Sequence, residues 1–298
     1  MLNKQIAILT LSLCGFSTNV FAEEVIKFAV RSNDMAPINT CHQSSNDLYP
    51  KCTTCLTGTS TSSGFLNYSI LAHALNRGGL NIPLVPFESP NSERSRRYVS
   101  AGTATIRGDW DFNIDGNTAV LKSDPFILPG RMEKGIYGLA SNAHLRGLKS
   151  TSEVQKLSSV MNPNWRLDWS ILNTMGLRKL VKASTKSQMF TLVAHRGIDF
   201  TLVEFSDLPD LAQIHDGIRL VPAPGVKVSL PNSQHFMISK KHPQAEQILV
   251  AVNRGLTQLH KLGFIENCLA ESGIVNRRVD DWTVLNLSTK PLPAANND

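Results

Sequence analysis

AHRGIDFTLVEFSD, residues 194–207, passes through a basic turn and a glycine and then reads as a strand. Ile198, Phe200, Leu202, Val203 and Phe205 are the β-branched, aromatic and aliphatic types that a buried, pleated strand favours. Glu204 sits near its end. An unpaired carboxylate is costly to bury, so this one is solvated, paired inside the protein, or placed for a cation from outside.

Strands and helices alternate on both sides of this segment. Upstream, 25–32 reads as a first strand, followed by a long polar loop that carries three cysteines and the run TGTSTSSG. Ser62 or Ser63 caps a helix with apolar residues Phe65, Ile70, Leu71, Ala74 and Leu75 at helical spacing, stopping at Gly78 and Gly79. IPLVPFE is a second strand and SERSRRYVSAG a helix with Arg94, Arg96 and Arg97 on its solvated face. TATIRGDWDFNI is a short strand entering a Gly-Asp-Trp turn, and RMEKGIYGLAS another strand. The pattern then restarts: helix STSEVQKL, strand 158–161, helix WSILNTMGL, strand KLVKAS, helix KSQMFTLVAHR and the strand 198–205. A strand within PGVKVSLPNSQHFMISKKHP and two helices in QAEQILVAVNRGLTQLHKLGFIENCLAESG complete the order. Such alternation predicts an α/β fold with mostly parallel sheets.

The chain has 298 residues, 42% hydrophobic and 18% charged, enough for one large domain or two of modest size. Residues 1–22 carry Lys4, an apolar run from Ile6 to Phe16, and Val20 and Ala22 at the spacing of a small-residue cleavage site. They read as a removable secretory signal; Ser12, Gly15, Ser17, Thr18 and Asn19 interrupt the run too often for a membrane anchor. Cys14 follows Leu13 where lipoprotein processing expects a small residue. The mature chain is therefore expected to be soluble and outside the cytoplasm.

Four cysteines remain after that cleavage: Cys41, Cys52, Cys55 and Cys268. An even number in a disulfide-permissive compartment predicts structural disulfides, with three pairings open. Cys52 and Cys55 form a C-x-x-C near Cys41 and His42, yet no second C-x-x-C or H-x-H completes a zinc signature and no thioredoxin-like elements flank it. A bridge to Cys268 would fasten the C-terminal helix to the N-terminal loop. The formal charge of +6 is far from the dense basic stripe of a nucleic-acid binder.

Local wording in the same order resembles the bacterial periplasmic solute-binding proteins of family 3, which serve amino-acid importers. SGFLNYSILAHALN is similar to the family's G-F-x-x-D-L helix opening, and LKSDPF to F-S-x-P-Y, with MEKGIYGLAS the strand that follows. GIDFTLVEF is similar to G-R-x-D-x-x-x-x-D, and HFMISKKHP with HKLGFIENCL to the return strand and closing helices. The resemblance implies a two-lobed type II periplasmic binding protein fold with two crossover strands and a ligand cleft between the lobes. Mapped here, lobe one is 24–140 plus 231–290, lobe two is 141–230, and 291–298 is a disordered tail. The implied function is capture of a small polar solute by hinge closure in the periplasm. An ABC permease or a membrane sensor is the implied partner; a monomer is expected, with no cofactor, metal or nucleic acid.

In amino-acid-binding relatives the second acid of the D-x-x-x-x-D strand holds the ligand's ammonium, and Asp199 to Glu204 reproduces that spacing. A strand's C-terminal end is also where α/β sheets place ligands. The family's T-x-x-R, whose arginine clamps the α-carboxylate, is missing from NIDGNTAVLKSDP; Arg107, Lys122 and Arg131 are substitutes, each also readable as a surface charge. Further ligand candidates are Trp110 and Asp109, Asn164 and Trp165 at the mouth of lobe two, and Ser63 at the first helix. No G-x-S-x-G, H-E-x-x-H, Walker loop or G-x-G-x-x-G after a strand occurs, and a binding protein is expected in place of an enzyme.

Overall fold

The computed structural model describes residues 24–44, 51–56, 61–287 and 289–294. The expected signal peptide, the first half of TGTSTSSG and the last four residues lie outside them. In the first lobe β1 (Ile26–Arg31) leads to α1 (Ser32–Ser44), α2 (Ser63–Arg77), β2 (Leu84–Ser89), α3 (Ser92–Ala101), β3 (Ile106–Trp110), the one-turn α4 (Asp111–Ile114) and β4 (Val120–Ile127). β1 pairs in parallel with β2 and β3, as the intervening helices require. Ser62 accepts from the Phe65 amide at 3.1 Å, capping α2 as its sequence predicts.

β5 (Met132–Gly138) then carries the chain into the second lobe. There follow α5 (Ala143–Arg146), α6 (Thr151–Val154), β6 (Ser158–Met161), α7 (Arg166–Thr174), β7 (Lys179–Lys182), α8 (Lys186–His195), β8 (Thr201–Val203), β9 (Gln213–His215), β10 (Ile218–Pro222) and β11 (Val226–Leu230). β12 (Gln234–Ser239) returns to the first lobe and inserts antiparallel between β3 and β4, giving the order β2-β1-β3-β12-β4. α9 (Ala245–Lys261), α10 (Phe264–Glu271) and β13 (Thr283–Val284) close the chain. One core gathers Phe28, Phe65, Phe126 and Phe236; a second gathers Tyr137, Ile171, Phe190 and Phe200.

The crossing strands β5 and β11 run antiparallel with Lys134 opposite Val228 and Met132 opposite Leu230. Beyond that point Gly135–Tyr137 already pairs with β8. The passage between lobes thus lies at the start of β5, several residues before the boundary at 140, because the same strand serves as crossing and as the centre of the second sheet.

Several local expectations change. The stretch after β1 is helix, not loop: Asp34, Ile38 and Cys41 share its buried face at helical spacing, a periodicity hidden by mixed residue types. Gly-Asp-Trp is strand, because β12, more than 120 residues away in sequence, pairs His235 with Asp109 and Gln234 with Trp110. The strand around Glu204 ends at Val203, and the hairpin β9–β10 adds to the second lobe. The C-terminal segment packs on the crossing and the second lobe: β13 pairs with β11, and Val279 and Leu285 join the second core. Residues 291–294 are described too, with the Leu292 amide donating to Asn232 Oδ1 at 2.9 Å.

Cys41 pairs with Cys55 and Cys52 with Cys268, at Cα separations of 5.4 and 5.1 Å. The second bridge fastens the segment before α2 to α10, as a bridge to Cys268 was expected to do. It closes a loop of 216 residues, so it removes much of the unfolded chain's freedom. Replacing Cys52 and Cys268 together with serine is predicted to cost about 2–5 kcal/mol in urea unfolding. Peptide mapping of the unreduced protein should recover these two pairings and no other.

Candidate functional site

A cleft of about 1140 Å³ opens between the lobes. Its first wall is built from the C-terminal ends of the parallel strands β1 and β3, where backbone and side chains emerge from the sheet. Gly64 at the start of α2 also lines it, and the need for glycine there is steric: a Cβ would lie 2.2 Å from the Asp34 carboxylate. Asp34, buried, thus rests against the N-terminus of α2, where an anion is favoured, and pairs with Arg31 at 3.3 Å.

Asp109 is the hub of this wall. Its Oδ1 accepts from the Trp110 amide and Asn113 Nδ2, both at 2.8 Å, and its Oδ2 faces Arg107 at 3.1 Å and Arg96 at 3.4 Å. Arg107 also donates to the carbonyls of Ser92 at 2.5 Å and Gly108 at 3.2 Å. Burial lowers its pKa, Asp109 opposes that, and the nearby Arg96 and Arg31 add to the lowering. Trp110 stacks on Phe112 with ring centres 6.2 Å apart, and it both lines the cleft and packs against the second core.

The opposite wall turns on Lys134, on the crossing strand β5. Its ammonium is buried between Asp168 on α7, at 2.5 Å, and Glu204 after β8, at 3.1 Å, and lies 5.7 Å from the Trp165 ring centre. Burial works against its charge, but the pull of the two carboxylates outweighs it and the pKa is raised. Glu204 is held down to about 2, chiefly by Lys134. Glu204 is therefore paired inside the protein, although its side chain remains 54% exposed to the cleft.

Six of the seven ligand candidates line the cleft: Glu204, Trp110, Asp109, Ser63, Asn164 and Trp165. Arg131 does not; both arms of its guanidinium bind Glu266. Lys122, also away from the cleft, pairs with Asp115 at 2.6 Å. Asp199 is equally structural, accepting from the Ser158 amide at 2.8 Å and hydroxyl at 2.7 Å. Sequence reasoning missed Lys134 and put Arg96 on the solvated face. A lysine amid the strand residues of MEKGIYG poses the same question as Glu204 and was the signal for the first; Arg96 needed the fold of β3 against α3. Among the described residues no group of three or more His, Cys, Asp or Glu could hold a metal, and no helix is long and apolar enough to cross a membrane.

No protein-family model matches the chain, and no curated protein matches it in sequence. Solved structures do share its architecture. The probable amino-acid ABC transporter extracellular-binding protein YtmK of Bacillus subtilis is 11% identical, with a TM-score of 0.55 over 88% of this chain and 100% of its own. YckB of Bacillus subtilis, 13% identical, has a TM-score of 0.52 over 92% of this chain and 97% of its own. The periplasmic VFT2 domain of Bordetella pertussis BvgS, 13% identical, gives 0.52 over 84% and 93%. The chain has the two-lobed type II periplasmic binding protein fold that its sequence resemblance implies.

Removing the central cation leaves Asp168 buried and unpaired, so Lys134→Met is predicted to cost about 3 kcal/mol or more in urea unfolding. Glu204→Gln, at an exposed carboxylate, should cost about 1 kcal/mol or less. Because the Glu204 pKa falls from 4.5 to about 2 on folding, its stabilisation is present above pH 4.5 and is lost as pH drops towards 2. The melting-temperature gap between wild type and Glu204→Gln should hold constant from about pH 6 to 9 and shrink below about 4.5.

Proposed function

We propose that the protein is a secreted solute-binding protein that captures a small polar solute between its lobes and delivers it to an ABC-type importer. The observation that carries this reading is the cleft itself: two charged walls, one from each lobe, joined by the adjacent crossing strands β5 and β11. A solute touching both walls binds the closed arrangement better than the open one and shifts the equilibrium by that difference. Glu204, which Lys134 keeps ionised far below neutral pH, presents a fixed charge to the cleft. The protein acts as a monomer in the periplasm and needs no cofactor.

The second reading is delivery to a membrane sensor. The same fold occurs in a probable ABC transporter binding protein and in the VFT2 domain of BvgS, and closure serves either partner. An adjacent permease and ATPase gene pair supports import; an adjacent kinase or cyclase gene supports sensing.

A thermal-shift screen of the mature protein over amino acids, polyamines, organic acids and sugars is predicted to yield one stabilising class. Small-angle scattering with that solute should show a smaller radius of gyration. Stabilisation by none of the four classes would refute solute capture.

A further inference from the structure

We propose that the cleft selects a small organic anion that carries no ammonium group, and that Arg96 is its contact on the first lobe. The inference rests on the solute-binding reading and names the class of solute for that same cleft. Its first support is that two cleft carboxylates able to hold an ammonium, Asp168 and Glu204, already share a cation. Asp168 and Glu204 both face Lys134 Nζ, which is tethered to the strand and 8% exposed. An incoming amine would have to displace a partner held at high effective concentration, or enter beside it as a second cation. Trp165 adds its ring face to the lysine already present.

The second support is the unequal charge of the opposite wall. Arg31, Arg96 and Arg107 share two carboxylates, Asp34 and Asp109, and the N-terminus of α2 adds partial positive charge. Arg107 spends its donors on Ser92, Gly108 and Asp109. Asp109 is saturated by Trp110, Asn113 and Arg107, leaving Arg96 the longest of its contacts. Arg96 has that one partner among the described residues and is 30% exposed in the cleft. Four of its five N–H donors have no partner among the described residues and are available for the two-pronged recognition of a carboxylate. Asn67, buried beside β3 in the same wall, has an Oδ1 without a hydrogen-bond partner among the described residues and takes a donor such as a solute hydroxyl.

Two cleft carboxylates, Asp207 and Glu271, have no cation partner among the described residues. Both are exposed, where hydrated charges contribute little to affinity, and Lys186 and Arg166 on the second wall offset them. The charges of the two walls therefore balance, Arg31, Arg96, Arg107 and Lys134 against Asp34, Asp109, Asp168 and Glu204, and the preference rests on the donors that Arg96 leaves unused.

The test compares matched probes on the full mature protein by thermal shift and calorimetry. Succinate, glutarate and citrate stand against aspartate, glutamate, lysine and putrescine, with glucose as the neutral control. Stabilisation by an amine-free carboxylate, and weaker or absent binding of its amino counterpart, is expected. Arg96→Gln should weaken the bound carboxylate about tenfold or more, whereas Arg94→Gln, the same loss of charge on the exposed face of α3, should not. The unliganded melting temperature of each variant reports its fold. Preferential binding of an amine-bearing probe, or of glucose, overturns the inference and leaves solute capture standing. Equal loss in both arginine variants also overturns the role of Arg96. Binding of no probe in any class overturns both readings together.

Discussion

One buried ammonium between two carboxylates fixes the second wall of the cleft. Lys134 lies on β5, the strand that both crosses between the lobes and centres the second sheet, so its ion pairs tie α7 and the end of β8 to the crossing. The arrangement is tolerated because each charge compensates another; the buried Asp168 without the lysine would carry an uncompensated desolvation cost.

The first lobe repeats the device with the signs exchanged. Asp109 gathers arginines from α3 and β3, and Asp34 rests on the N-terminus of α2 beside Arg31. Side chains held this way have little conformational freedom left to lose. Around the crossing, Lys227 on β11 pairs with Glu133 at 2.9 Å and donates to the Val279 carbonyl at 2.7 Å. Asn286 exchanges two hydrogen bonds of 2.8 Å with the Ser229 backbone. The C-terminal segment thus braces the crossing strand β11.

The architecture was legible because its signals are local: helix caps, apolar spacing and the collinear order of motifs over the chain. What escaped was decided by distant partners. Asp34, Ile38 and Cys41 read as loop residues until a helix aligns them, and Gly-Asp-Trp reads as a turn until β12 pairs with it. Glu204 was rightly singled out as an ionisable group needing an explanation, but the sequence could not say which cation answers it. The lysine that does so lies 70 residues upstream, on a strand whose own charged residue drew no comparable question. Arg131 shows the converse, an arginine near the right place in sequence that folding turns towards Glu266. Six of the seven cleft candidates reached the cleft because strand ends and helix starts are where such folds expose side chains.

The most direct test of the account is a crystal structure of the protein closed on its solute. It predicts Lys134 Nζ still between Asp168 and Glu204, with an anionic group of the solute on the Arg96 guanidinium. A solute ammonium seated on Glu204, with the lysine displaced, would contradict it.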